Sequence, residues 1–336
     1  MSNPVVVEVT RGPLVESRHR GAIVVVDASG RRRAAIGDVD AAIFPRSAVK
    51  AIQALPLVES GAADRYGFDS RELALACASH SGEPLHVATA RAMLAAAGRG
   101  EADLECGPQI PSSRAAAEAL VRAGVDPGPI FNNCSGKHAG FICLACHMEV
   151  DPRGYVEPDH QAMREVTAAI KGMTDTRLGA EMRAIDGCSI PTFAIPLDRL
   201  ALGIARLVTG EGLAPKRAAA ARRLVAACQA EPFMVAGTRR IETEAMGRYG
   251  SRLFIKGGAE GVCCLGFPDL GLGVALKCDD GSGRATDIAA RAVIAALLDP
   301  DYPPEEPVPT RRGRTVGAMR PAEGVVAALR DGTGVN

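Results

Sequence analysis

Short apolar runs mark the two ends of the chain, and three-to-four spacing of apolar residues marks its middle. Residues 5–9 (VVVEV) and 22–38 read as strands, the second a hairpin turning at Ala28-Ser29-Gly30. Residues 46–58 read as a helix opened by Ser47-x-x-Lys50. The next helix is capped by Asp69, with Glu72 completing a capping box. Pro84 opens a helix running to about Ala97, and Ser112 or Ser113 caps another that ends near Gly124. Residues 132–150 read as a loop feeding a helix, and 157–172 as a further helix. A second irregular loop (184–196) precedes helices at about 197–209, 215–230 and 239–247. Three strands follow, at 251–258, 261–268 and 271–278, then a helix at 286–298. A proline- and glycine-rich tail holds a short strand at 314–320 and a helix at 322–330.

Strands, a helical middle, strands and a helix, in that order, favour a layered α/β (α+β) chain over a regular βαβ alternation. The expectation is one catalytic domain over residues 1–336. Its helical region spans about 46–250, and its antiparallel sheet pairs N- and C-terminal strands. The formal net charge is +0, with 39 basic and 39 acidic residues, so no basic excess is available to hold nucleic acid. No apolar run reaches the roughly 20 residues needed to cross a bilayer. The first twenty residues lack the pattern of a signal peptide, so the expected compartment is the cytoplasm. In that reducing setting the ten cysteines read mostly as small buried apolar residues rather than disulfides. Lysine is scarce, with six against 33 arginines. Because only lysine can readily lose its proton, the three that sit in Ser- or Gly-containing motifs are worth weighing: Lys50, Lys137 and Lys256.

Ser47-x-x-Lys50 at a helix start places hydroxyl and amine on one face, close enough for the lysine to take the serine proton. Alone the pair is a weak signal. Downstream come Ser79-His80-Ser81 and, on an expected strand, Lys256-Gly257-Gly258. The order resembles the three motifs of the penicillin-binding and serine β-lactamase group, although the gap between the first two is short. "FNNCSGKHAGF" is not a phosphate loop, because the position that must be glycine is Phe131. By spacing alone neither this loop nor "IDGCSIPTFAIPL" announces a metal site. Cys143 to His147 (CLACH) spells a haem-attachment motif, but on an expected helix with no export signal it reads as buried thiols.

Taken together, "FPRSAVKAIQALP", "CASHSGEPLH", "NNCSGKHAGF", "IDGCSIPTFAIPL" and "IKGGAEGV" resemble the rhizobial-type (class 3) L-asparaginases of the asparaginase II family, from about residue 5 to residue 320. The resemblance implies a serine β-lactamase-like fold, a homodimer, and hydrolysis of L-asparagine to L-aspartate and ammonia. It implies two Ser–Lys pairs, Ser47 with Lys50 and Ser79 with Lys256, and a zinc site with Cys134, Lys137 and Cys188 as ligands and Asp186 close by. The segment around Glu242 departs from the family, where a cysteine falls near that position.

For such chemistry Ser47 is the expected nucleophile and Lys50 its base, with Ser79 and Lys256 relaying protons or placing water. A base lysine must fall from about 10.4 to about 7–8, which burial and a second cation promote. Arg46, Asn132, Asn133, His138 and Asp186 are the expected substrate-binding groups. His80 and His86 have a plainer role open to them, hydrogen bonding to loop backbone. Two competing readings stand beside this one. The first is another Ser–Lys hydrolase acting on glutamine, a β-lactam or an ester. The second is a non-catalytic zinc-containing protein that binds an amino acid.

Overall fold

The computed structural model describes residues 2–335. Eight strands make the main sheet: β1 (Val5–Arg11), β2 (Leu14–Asp27), β3 (Arg32–Ile36), β4 (Phe254–Gly258), β5 (Val262–Phe267), β6 (Leu272–Cys278), β7 (Glu306–Pro309) and β8 (Thr315–Pro321). Seven lie in the order β7-β8-β1-β2-β6-β5-β4, β3 pairs with β2 off this path, and every pairing is antiparallel. The sheet therefore joins the two ends of the chain, as the element order implies.

β2 is the strand that holds the two halves together. Its first half, with charged residues at alternate positions, pairs with β1. Its second half, Gly21–Asp27, pairs with β6 along one edge and β3 along the other. Ala22 to Val26 and the whole of β5 are buried, which requires cover on both faces of the sheet. Helices Leu197–Thr209 and Gly283–Leu297 supply it. The first comes so close that a Cβ at Gly273 would strike the backbone of Ala201 and Ala205. Gly266, its register partner on β5, faces Val208 in the same way.

The middle of the chain is helical, with two departures that bear on the site. The helix expected over 46–58 is instead a 3-10 turn (Arg46–Val49) followed by short helices Lys50–Gln53 and Leu55–Glu59. The turn begins on Arg46 in the left-handed region (φ 50°), where a regular helix cannot start. The loop 184–196 is partly strand: Arg183–Ile185 pairs with Pro191–Phe193, and Ile195–Pro196 pairs with Ala42–Ile43. Elsewhere the local signals hold. Asp69 and Glu72 form the capping box, Ser113 caps Arg114–Ala123, and Pro84 opens Pro84–Ala96. β7 and the early part of β2 lie outside the expected strands. No helix among the described residues is long and apolar enough to cross a membrane.

The close approach at Gly273 makes a direct expectation. Gly273→Ala must push the helix off the sheet and lower the melting temperature, at a cost of about 1–3 kcal/mol. Gly283→Ala, where a Cβ meets nothing within 4 Å, should leave it unchanged or slightly raised. Thermal unfolding of both variants is the measurement, and equal melting points would refute the packing argument.

Candidate active site

Each motif loop is pinned before its functional side chain is placed. The Ser79 N–H donates to Val235 and that of His80 to Asn133, so the loop after Ala78 is strung between two other segments. His80 accepts the Gly82 N–H on Nδ1 (3.1 Å) and reaches Ser135 Oγ with Nε2 (3.0 Å). Burial, and then His86, hold its imidazole well below the usual histidine range, so it pins the loop as a neutral ring. His86 does the same between Glu83 and Phe233.

The centre of the site is Ser79. Its half-buried hydroxyl lies 3.0 Å from Lys50 Nζ and 2.9 Å from Lys256 Nζ, both lysines being almost wholly buried. Lys50 also donates to Ala78 O (2.6 Å) and approaches Cys134 Sγ (3.1 Å). A lysine amine offers at most three N–H donors, and these three partners can take them all. Lys50 thus turns to Ser79 and away from Ser47, the partner expected from the Ser-x-x-Lys spacing. The turn does not itself part the two, because a 3-10 repeat brings positions three apart onto one face. The amine is drawn off by Ala78 O, Ser79 Oγ and Cys134 Sγ. Lys256 bonds Ser79 and the Gly257 carbonyl (2.7 Å). Burial, followed by the charge of Lys50, brings its amine down to about 8.

Ser47 sits half-buried on the turn that β4 backs. A Cβ at Gly258 would stand 2.8 Å from Pro45 O and 3.1 Å from Ala48 N, so this glycine admits the turn itself rather than opening a strand edge to substrate. Beside it Arg46 Nε donates to Asp186 Oδ2 at 2.9 Å. Burial works against the Asp186 carboxylate, but Arg46 and then Lys137 hold it below the usual range. A hollow of about 470 Å3, lined by Phe44, Arg46, Ile185, Thr192 and Glu260, opens on this side.

Cys134, Lys137 and Cys188 do converge. Lys137 Nζ is 3.0 Å from Cys188 Sγ, and the two thiols shift each other's proton affinity. Cys188 and then Lys50 pull the Cys134 thiol far below its ordinary value, while Cys134 and burial push Cys188 up. Burial opposes the charge on Lys137, but Cys188 and Cys134 outweigh it and raise the amine. Two sulfurs, one of them readily ionised, and an amine from three buried residues are a donor set that suits a borderline-soft metal such as zinc. No cluster of three or more His, Cys, Asp or Glu suited to a metal occurs among the described residues, and here the third donor is a lysine.

Of the other expected groups, Asn132 is fully engaged in the loop. Its amide donates to Cys106 O and Gly107 O, and its Oδ1 takes the Cys134 N–H, so it positions Cys134. Asn133 keeps Oδ1 3.0 Å from Cys134 Sγ. His138 is buried, with Nδ1 2.7 Å from the Tyr155 hydroxyl and Nε2 without a partner among the described residues. Cys143 faces the core, as a buried thiol should. The residue that motif reading did not place is Glu242, wholly buried behind β4. Its only signal in the sequence is the departure from the family pattern at that position.

A mixed α/β chain with an antiparallel sheet, in which a half-buried serine meets two buried lysines, is the frame for a hydrolase. The sequence matches the L-asparaginase II family over residues 7–321, and the chain belongs to that family, which supports an amidohydrolase acting on a small molecule. No curated protein matches it. Among solved structures it is similar to Mglu in its native form, at 16% identity and TM-score 0.37, over 82% of this chain and 63% of that one. A second Mglu structure gives 16%, 0.37, 82% and 66%, and a third, in 4.3 M NaCl, 16%, 0.35, 82% and 60%. The chain thus spans less than two thirds of the length of these solved chains, and likeness this slight carries no argument.

Lys256 makes the site's pH behaviour testable. Its proton affinity is about 8 in the fold and about 10.4 in an unfolded chain, so between those values the unfolded state binds more protons. Stability from this group therefore rises with pH through that window, by about 3 kcal/mol in all. Urea unfolding of wild type and Lys256→Met should show the wild type gaining on the variant from pH 8 to pH 10. Parallel profiles would show that the amine is not held neutral by the fold.

Proposed function

We propose that the protein is an L-asparaginase, hydrolysing L-asparagine to L-aspartate and ammonia, and that its sheet and helices form a single serine β-lactamase-like catalytic domain. The observation that carries the reading is Ser79 Oγ between two buried lysine amines, one of them brought near neutrality. A cytoplasmic homodimer remains part of the reading.

Amide hydrolysis through a serine needs a hydroxyl that loses its proton as oxygen bonds to the carbonyl carbon. It then needs an acid that returns a proton to nitrogen as the C–N bond breaks and ammonia leaves. Water must next lose a proton to the same base as it displaces the aspartyl ester. Lys256 is suited to both directions, because a group near 8 takes and gives protons at neutral pH. The Ser79 hydroxyl links it to Lys50, so a proton can pass along the row. In this scheme Ser47 is the nucleophile, its proton passing to Lys50, whose amine would leave Ser79 to take it, and Ser79 is the relay to Lys256. A second reading has its own support: Ser79 is the hydroxyl with amines in contact, so Ser79 as nucleophile with Lys256 as base fits the geometry directly.

Arg46 and Asp186 form an ion pair beside Ser47, and such a pair matches the α-carboxylate and α-ammonium of an amino acid. We assign them to substrate orientation, and keep Asn133 and His138 as further candidates for it. Cys134, Lys137 and Cys188 would hold zinc. When bound, zinc supplies a Lewis acid that polarises an oxygen or anchors a carboxylate. A glutaminase, β-lactam or ester hydrolase remains the alternative within the same chemistry, and a zinc-containing amino-acid binder the alternative outside it.

Ammonia release from asparagine and glutamine, with ring opening of nitrocefin followed by its change in absorbance, separates these readings, asparagine being the expected substrate. Ser47→Ala and Ser79→Ala should each lose on the order of 10³-fold in kcat/KM. Mass spectrometry after an electrophilic asparagine analogue locates the acylated serine. A label on Ser79 reassigns the nucleophile, and wild-type turnover in either variant removes that serine from the scheme.

Metal analysis of protein purified without chelator should find about one zinc per chain, and Cys188→Ser should lose most of it. Metal-free wild type would reject the site.

A further inference from the structure

Glu242, on the helix Ile241–Tyr249, is 1% exposed, and the fold treats its two oxygens differently. Oε1 accepts the Gly257 N–H at 3.2 Å and lies 3.6 Å from the Arg240 guanidinium. Oε2 is shut off from solvent and has no hydrogen-bond partner among the described residues. Leaving a buried acceptor unpaired forfeits its hydration with no return from packing, so such an oxygen calls for an account beyond stability.

The account lies across one residue. Gly257 gives its N–H to Glu242 and its carbonyl to the Lys256 amine, 2.7 Å away. No side chain fits between, because a Cβ at Gly257 would stand 2.8 Å from Glu242 Oε1. The carboxylate and the amine are thus held at opposite ends of the same short piece of β4.

We propose that Glu242 is a positioning residue for the reaction: it fixes Gly257, through it the Lys256 amine, and it supplies the negative field in which that amine exchanges its proton. The inference rests on the assignment of Lys256 to the catalytic machinery. The other groups that act on Lys256 are Lys50 and Cys77 from the helical side, Ser79 from its loop, Cys263 and Cys264 from β5, and Arg240 at the start of the Glu242 helix. Burial, Lys50 and Arg240 favour the neutral amine, whereas Glu242 and Cys263 favour the charged one. Asp287, on the helix Gly283–Leu297, is brought up to about 6 by burial and then by Glu242, which marks the same pocket as negative from the opposite side.

The test substitutes Glu242→Gln, which keeps an acceptor for the Gly257 N–H and removes the charge. With only six lysines in the chain, 13C-labelled lysine NMR can follow Lys256 directly, its signal assigned by its loss in Lys256→Met. Without the carboxylate the charged amine is less favoured. The Lys256 midpoint should therefore fall by about half a pH unit or more, and the rise of kcat/KM with pH should move down with it. Glu242→Asp, which keeps the charge but draws it back, should hold the midpoint and lower kcat. An unmoved midpoint in folded Glu242→Gln overturns the proposal. A moved midpoint in a protein that hydrolyses no amide upholds the link between Glu242 and Lys256 and overturns the catalytic reading instead. If Glu242→Gln does not fold, Arg240→Gln reads the same field with opposite sign. Its Lys256 midpoint should rise, and an unmoved one overturns the proposal equally.

Discussion

Three lysine amines are buried in one region without a carboxylate in contact, and much of the loop architecture serves that fact. Among the described residues, Lys50, Lys137 and Lys256 form no ion pair within 4 Å, although each is 3% exposed or less. An amine taken out of water needs acceptors, and here they are neutral or sulfur groups: Ala78 and Gly257 carbonyls, the Ser79 hydroxyl, and the Cys134 and Cys188 sulfurs. Supplying these fixes the register of three loops. The loop after Ala78 is hung from Val235 and Asn133, Asn132 braces Cys134, and Asp186 closes its own turn with Ile190 and Ser189.

Neutral acceptors also decide what the amines can do. A carboxylate in contact stabilises the charged form of a lysine and disables it as a base near neutral pH. A hydroxyl or a carbonyl satisfies the N–H groups while leaving that balance to burial and to neighbouring cations, which is how Lys256 comes to about 8. Lys137 shows the opposite case. Its partner is a thiol that shares charge with Cys134, and its amine rises although it is equally buried. The same residue type thus takes two proton affinities according to its acceptor.

The fold was legible from periodicity to the extent that both sides of each element agree. β5 and β6 read as strands because buried sheets give unbroken apolar runs, and the capped helices read correctly because Asp69, Ser113 and Pro84 act locally. The early part of β2 was missed because its partner β1 leaves one face in solvent, and its charged residues there resemble a loop. The lysines stood out in sequence because arginine is the default base of this chain. Their partners did not, since Lys50 bonds Ser79, 29 residues further along the chain, rather than Ser47 beside it. That is a tertiary outcome, set by the hanging of the Ser79 loop from Val235 and Asn133.

The glycines of β4 show why spacing alone could not place the acid. In sequence, Lys256-Gly257-Gly258 shows an expected strand and nothing of what its glycines face. In the fold each glycine is occupied by protein: Gly258 by the Ser47 turn on one side, Gly257 by Glu242 on the other. One short strand therefore sets three distances at once, from Lys256 to Ser79, from the Ser47 turn to the sheet, and from a buried carboxylate to the amine it acts on. A carboxylate one residue removed can bias the amine without quenching it, because Coulomb attraction falls with distance while a direct ion pair would lock the proton in place. Such an arrangement permits negative charge near a base lysine, and it requires a residue without a side chain between them.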